Sequence, residues 1–146
     1  MSGWKAVRDQ ADIQALLEVY GGFHDACLVS LAYTSGNNVN ENYAMGLNLE
    51  RQEVRMVFHR QEAPKKLELC FTKPQFVHIA CPGERWFGEM LDAYLSFCQD
   101  VLPNRPDPSI VWANWDGFDP ASISRGSYDP NESFLVADGL HWRILE

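Results

Sequence analysis

The spacing of apolar residues changes along the chain and predicts an α+β fold built mostly from strands. Near the N-terminus, Asp9 and Asp12 have the spacing of a helix capping box, although the usual Glu or Gln is replaced by Asp. Apolar residues then recur at helical intervals until Gly21-Gly22, a pair suited to the end of a helix. This pattern predicts a short helix over residues 10–20.

Alternation of apolar and polar residues follows this helix and predicts a meander of strands. The alternating runs are joined by short polar connections and lie at residues 27–33, 43–49, 54–58 and 67–71. Such period-two runs are typical of an antiparallel sheet with one buried face. We expect further strands at 76–80 and 110–115, and a closing hairpin in which Asp138-Gly139 joins 133–137 to 140–145.

Helical spacing returns at residues 84–98. Trp86, Met90 and Tyr94 lie four residues apart, and polar residues such as Glu89 fall on the opposite side. This spacing predicts an amphipathic helix packed on the sheet, with its carboxylates serving solubility. The predicted fold is therefore a single α+β domain over residues 1–146: a mostly antiparallel meander sheet, a short N-terminal helix and this amphipathic helix.

Bulk composition is that of an ordinary globular domain. The 146 residues are 46% apolar and 22% charged, which is enough apolar material for a substantial core. The N-terminus lacks a signal-peptide pattern, and no apolar run approaches the ~20 residues that span a bilayer. These features indicate a cytoplasmic protein without a membrane partner. The four cysteines form no CxxC pair, so we expect four reduced, buried thiols.

The net charge of −8 is unevenly distributed. Residues 1–73 hold eight Lys/Arg and nine Asp/Glu, whereas residues 74–146 hold four and eleven, a balance of −1 against −7. The acidic half also carries four of the five tryptophans. An acidic surface that bears aromatic side chains suits a basic protein partner, because the charge steers encounter and the rings supply anchors.

Sequence motifs for cofactors and nucleic acid are absent. The chain contains neither a GxxxxGK[ST] nor a GxGxxG pattern, and no GxSxG nucleophile motif. A strongly acidic balance and the lack of a Lys/Arg cluster beyond Lys65-Lys66 disfavour nucleic-acid binding. We therefore predict no cofactor, no metal and no nucleic-acid partner.

His24-Asp25 is the most suggestive pair for catalysis. A histidine beside a carboxylate is suited to metal binding or general-base chemistry, and the pair follows Gly21-Gly22 at a predicted helix-to-strand junction. No further ligand lies at a recognisable spacing. The alternative is a structural one, in which the pair caps the strand entry and ties down the preceding loop.

The Trp-bearing segment at residues 112–119 is the main candidate for partner binding. Trp115, Asp116 and Asp119 surround Gly117 there, and strand alternation would place Trp112 and Trp115 on opposite faces. The spacing does not fit a calcium loop. The alternative is that the tryptophans are core and the aspartates supply turns. The predicted partner-binding set also takes in the acidic residues of the flanking loops, and its members are Trp115, Asp116, Asp119, Asp107 and Asp129.

Two stretches resemble small bacterial α+β proteins of unassigned function. They are GGFHDACL at residues 21–28 and VADGLHWRIL at residues 136–145. Some proteins of that kind look like immunity proteins encoded beside secreted polymorphic toxins. The resemblance implies an acidic protein that neutralises a toxin by binding, in some cases by mimicking the charge of nucleic acid. It carries no assigned functional residues to this chain.

Three functional hypotheses follow from these features. The first is a non-enzymatic cytoplasmic binding protein of the immunity or antitoxin kind, which captures a basic protein. The second is a metal-dependent hydrolase that uses His24 and Asp25. The third is a structural, self-associating domain, since antiparallel sheets with an exposed edge often form homodimers.

Overall fold

The computed structural model describes residues 3–105 and 107–146. These residues form a seven-stranded sheet, a two-stranded sheet and two short α-helices. The helices are α1 (Gln10–Val19) and α2 (Ala121–Arg125). The strands, in chain order, are β1 (Lys5–Val7), β2 (Ala26–Thr34), β3 (Asn37–Val39), β4 (Met45–Leu47), β5 (Glu53–Arg60), β6 (Lys66–His78), β7 (Tyr94–Cys98), β8 (Ser109–Ala113) and β9 (Phe134–Ile144).

The main sheet has the strand order β2-β5-β6-β9-β8-β7, and every pairing in it is antiparallel. β1 pairs with the second half of β9, beyond the end of β8. β3 and β4 form a separate two-stranded ribbon between β2 and β5. The predicted α+β class and antiparallel sheet are thus confirmed. No helix in the described ranges is long and apolar enough to cross a membrane.

The predicted N-terminal helix is confirmed as α1. The Asp9 side chain caps it by accepting a hydrogen bond from the Asp12 amide at 2.9 Å, which stabilises such a helix by about 1 kcal/mol. Gly21 and Gly22 end it in left-handed conformations, with φ of 57° and 66°. Ile13 and Leu16 are buried against the sheet.

The sheet carries an apolar cluster on each face, and alternate residues of β8 and β9 supply both. Ile110 and Trp112 belong to the cluster beneath α1, while Val111 belongs to the opposite one. The opposite cluster is covered by Val101 and Leu102 and by the segment 114–132, which contributes Phe118 and, from α2, Ile123. Because β8 is buried on both faces, it reads in the sequence as a continuous apolar run.

The amphipathic helix predicted at 84–98 is wrong. Residues 94–98 are the strand β7, and residues 84–93 form a connection that crosses from β6 to it. Apolar residues four positions apart lie on one face of a strand as well as on one face of a helix, so this spacing fits both. The alternation expected of a strand is missing because both faces of β7 are covered by apolar residues. Leu95 packs beneath α1, whereas Tyr94 packs against the opposite cluster. The connection also contains Gly88 at φ 88°, a conformation that does not occur within a helix.

The hairpin predicted at Asp138-Gly139 is wrong as well, because β9 runs through this pair without turning. Gly139 pairs with Thr72 on β6, where an added Cβ would lie 2.6 Å from the Thr72 hydroxyl oxygen. The Asp138 carboxylate accepts a hydrogen bond from the Gln75 side chain at 2.6 Å. The glycine therefore permits close approach between strands rather than a turn. The predicted strand at 76–80 is likewise the end of β6, which continues to His78 across a bulge.

Candidate binding cleft

An open cleft of about 890 Å³ lies where three connections meet at one end of the sheet. They are the segment 86–92 between β6 and β7, the turn 114–116 after β8, and the loop 127–132 before β9. Five carboxylates line the cleft, and none of the described lining residues is Lys or Arg. The five are Glu89, Asp92, Asp116, Asp129 and Glu132.

Two tryptophans complete the lining. Trp86 lies on the segment 86–92, and Trp115 lies on the turn after β8. Trp115 is 48% exposed although Trp112, three residues earlier, is buried in the core. This difference agrees with the alternation read from the sequence, since Trp112 points beneath α1. A half-exposed indole beside carboxylates can stack on a cationic side chain while the carboxylates accept its hydrogen bonds.

The Trp115 ring is held in place from two directions. Its Nε1 donates a hydrogen bond to the Glu132 carboxylate at 2.5 Å. The other oxygen of that carboxylate accepts from the Asp129 amide at 2.8 Å, which fixes Glu132 in turn. The six-membered part of the ring lies directly on Gly117, so closely that a Cβ at this position would overlap it. The anchor is thus pre-organised, which reduces the conformational entropy lost on binding.

Aromatic packing supports the loop 127–132 from below. Phe134, at the start of β9, is completely buried and stacks on Phe118 with ring centroids 5.0 Å apart. Tyr128 packs edge-on against Phe134 at 4.9 Å. His78 stacks on the same ring and its Nδ1 lies 2.7 Å from the Glu132 carbonyl oxygen. The loop that carries Asp129 and Glu132 therefore has a rigid floor.

The opposite wall is tied to the junction between α1 and β2. The amide of Asp25 donates to the Met90 carbonyl at 2.9 Å, and the Met90 amide donates to the Ala26 carbonyl at 2.8 Å. The Ala93 amide bonds to Gly22 at 3.0 Å. These bonds hold the backbone of the irregular segment against the sheet, and this backbone carries Glu89 and Asp92 on the cleft wall.

His24 and Asp25 also help to hold the segment 86–92 against the junction between α1 and β2. His24 Nδ1 lies 2.6 Å from the Leu91 carbonyl oxygen, so this nitrogen is the donor, and Nε2 lies 3.5 Å from the Asp25 carboxylate. Both side chains are more than half exposed. In the part of the chain that the structure describes, no group of three His, Cys, Asp or Glu is arranged to hold a metal ion. The His24 side chain therefore joins the segment 86–92 to the junction between α1 and β2.

Three of the five residues predicted to bind a partner line the cleft: Trp115, Asp116 and Asp129. The other two lie elsewhere. Asp119 accepts a hydrogen bond from the Arg125 guanidinium at 3.0 Å and from the Ala121 amide, which makes it a turn residue beside α2. Asp107 precedes β8 at the end far from Trp115, and its carboxylate accepts from the Asp100 amide at 3.1 Å.

Sequence reasoning missed Trp86, Glu89, Asp92 and Glu132 as members of the cleft. The first three were assigned to a helix that does not form, and their pairing with the 112–119 segment depends on a long-range crossing of the chain. The one sequence feature that could have indicated these residues is the clustering of acidic residues and tryptophan in the segments 84–92 and 112–132.

A second constellation, Cys70 and His141, lies on the sheet itself. The two residues are direct partners on β6 and β9. Burial raises the pKa of the Cys70 thiol to about 11 and lowers the pKa of His141. At neutral pH the thiol is therefore protonated and the imidazole neutral, so the pair lacks the thiolate that nucleophilic catalysis requires.

The site is thus an open cleft with an acidic lining and two tryptophans. No protein-family model, curated protein or solved structure matches this chain.

Proposed function

We propose that this protein is a non-enzymatic binding protein that captures a basic protein partner in the acidic cleft. The observation that carries the proposal is the combination of five carboxylates with a pre-organised Trp115 in one cleft whose described lining contains no Lys or Arg. Such a cleft binds a Lys or Arg side chain by charge-assisted hydrogen bonds and by stacking on the indole. The residues of the partner that enter it are then cationic and project from its surface.

The proposal includes an immunity or antitoxin role in the cytoplasm. An inhibitor that acts by stoichiometric capture needs a rigid, charged surface and no chemistry of its own. The fixed walls of the cleft, tied at Met90 and floored by Phe134, meet this requirement. A basic toxin, such as a nuclease whose own site attracts phosphate, would present the complementary charge.

Salt dependence tests the electrostatic part of this proposal. We expect an arginine-rich peptide to quench or shift the fluorescence of the cleft tryptophans on titration, and its affinity to fall at least about tenfold between low and physiological ionic strength. A peptide of equal length with Gln in place of Arg is the control and should not bind. Equal affinity for the two peptides, or affinity independent of salt, would contradict the proposal.

Gly117→Ala tests the anchor without touching a carboxylate. The new methyl group would overlap the Trp115 ring and displace it from its position beside Glu132. Because an aromatic anchor of this kind typically contributes about 2 kcal/mol, we expect the affinity for the arginine-rich peptide to fall roughly 30-fold. Fluorescence titration measures the change.

Gly83→Ala provides a matched control, since nothing lies within 4 Å of a Cβ built there. It should bind like the wild type. If Gly117→Ala also bound like the wild type, Trp115 would not be the anchor.

A further inference from the structure

The outer edge of β2 is an unprotected strand edge. β2 is nine residues long and lies at one end of the main sheet, with β5 on its inner side. The segment 88–90 covers only its beginning, through the bridge between Cys27 and Glu89. Over the rest of β2, no described residue pairs with the outer side. β7, the strand at the other end, is only five residues long and has no exposed residue.

Natural proteins usually protect such an edge with charged residues or proline, and β2 has neither. The one feature of β2 that discourages pairing with another strand is a bulge at Val29. The uncharged stretch extends further: residues 26–49 contain a single charged side chain, Glu41, in a chain whose net charge is −8. Because of this net charge, two copies of the protein repel one another electrostatically. The repulsion is weakest where residues 26–49 of the two copies meet, since this stretch carries almost no charge.

The ribbon formed by β3 and β4 extends the same uncharged surface. Val39 and Met45 are direct partners, and Leu47 lies on the same face of the ribbon. All three are exposed, Met45 to 76%, and Tyr43 at the tip is 90% exposed. Val29 and Tyr33 of β2 are exposed as well, so residues 29–47 present six large apolar side chains to solvent, where a standard interface buries ~800 Å² from each partner.

A slot of about 210 Å³ adjoins the start of the free edge. Four consecutive β2 residues, 28–31, line one side of it, and the connection after β6 lines the other, mostly with apolar groups such as Ile79 and Pro82. In an antiparallel pairing of two β2 strands, the end of one strand and its ribbon lie beside the start of the other. The slot is therefore placed to receive an apolar side chain from the ribbon of a second copy.

We infer that two copies of this chain associate through β2, in an antiparallel pairing about a two-fold axis near Leu31. Main-chain hydrogen bonds between the two β2 edges would join the sheets, and the apolar ribbons would pack across the junction. The slot shares Trp86, Met90 and Asn114 with the acidic cleft, whereas Trp115 and the five carboxylates of the cleft lie outside the slot. The dimer would carry two cationic-partner sites.

Sedimentation velocity over micromolar to millimolar concentrations tests the inference. The wild type should pass from the 16.6 kDa monomer to twice that mass as concentration rises. In a Tyr33→Lys/Met45→Lys variant, each copy brings two positive charges into the interface, one on β2 and one on the ribbon, and dimerisation should weaken at least about tenfold. Thermal melting followed by circular dichroism establishes that the variant is folded.

Leu91→Lys is a control for the introduced charge, because Leu91 is exposed to the same 76% as Met45 but lines the cleft and is not part of β2 or the ribbon. It should dimerise like the wild type. Hydrogen exchange should show slower exchange at amides 29–34 in the dimer than in the monomer. A wild type that stays monomeric at millimolar concentration, a double variant that dimerises normally, or unchanged exchange at 29–34 would each overturn the inference. Peptide titration at concentrations where the protein is monomeric tests the cleft separately from this inference.

Discussion

Replacing Glu89, Asp92 and Asp116 together by their amides should reduce the affinity for the arginine-rich peptide by up to about a hundredfold. The three carboxylates line the cleft from both walls, and Asp92 also lies 3.8 Å from His24 Nδ1, an exposed contact whose loss costs little. Exposed ion pairs are each worth up to about 1 kcal/mol, and three acting in one cleft give close to 3 kcal/mol. Fluorescence titration at low ionic strength measures the loss, which should be smaller in high salt.

A second triple variant distinguishes the effect of the cleft carboxylates on affinity from the effect of the protein's net charge. Glu18→Gln, Glu50→Gln and Glu62→Gln lie on exposed positions outside the cleft and remove the same three negative charges. This variant should lose only the weak, long-range part of the attraction. If both triple variants lost affinity equally, binding would be a property of overall charge, and the cleft would not be the site.

Phe134→Ala should be among the most destabilising single substitutions in this chain. The ring is fully buried and contacts the rings of Phe118, Tyr128 and His78 at centroid distances of 4.9–5.4 Å. Removal of a buried Phe side chain costs about 3–5 kcal/mol, because both the transfer energy and the packing around the cavity are lost. Chemical denaturation should show this loss in the free energy of unfolding.

Phe134→Ala should also weaken peptide binding, since the lost ring supports the loop that carries Asp129 and Glu132. Phe58→Ala is the matched control: Phe58 is equally buried, but it packs beneath α1 against Phe23 and Trp112. It should destabilise the protein by a similar amount and leave peptide affinity unchanged at a temperature where both variants are folded. Equal affinities for the two variants would show that the Phe134 stack does not position the cleft.

Local sequence patterns predicted the secondary structure correctly for elements that pack on the rest of the protein through one face. The helix α1 is specified by its own cap at Asp9, its apolar spacing and its terminal glycines, all within one stretch of sequence. β5 alternates strictly between buried and half-buried residues, because one of its faces packs beneath α1 and the other does not. Its pattern could therefore be read directly.

The same reading failed where a segment has partners on both sides. β7 is covered on both faces, so its alternation disappears, and its four-residue spacing indicated a helix instead. Asp138-Gly139 has the composition of a turn, yet β9 continues because β6 pairs with it along its whole length. In both places the long-range pairing of strands outweighed the local preference.

The sequence by itself determined the α+β class, the N-terminal helix, the antiparallel sheet and the accumulation of acid and tryptophan in the second half. It also pointed to Trp115, Asp116 and Asp129. Only the tertiary structure decided that these three face Glu89 and Asp92 across one cleft, while Asp107 and Asp119 serve their own loops. The reason is physical: charge and periodicity are local properties of a chain, whereas a cleft exists only once strands distant in sequence have paired and brought their connections together.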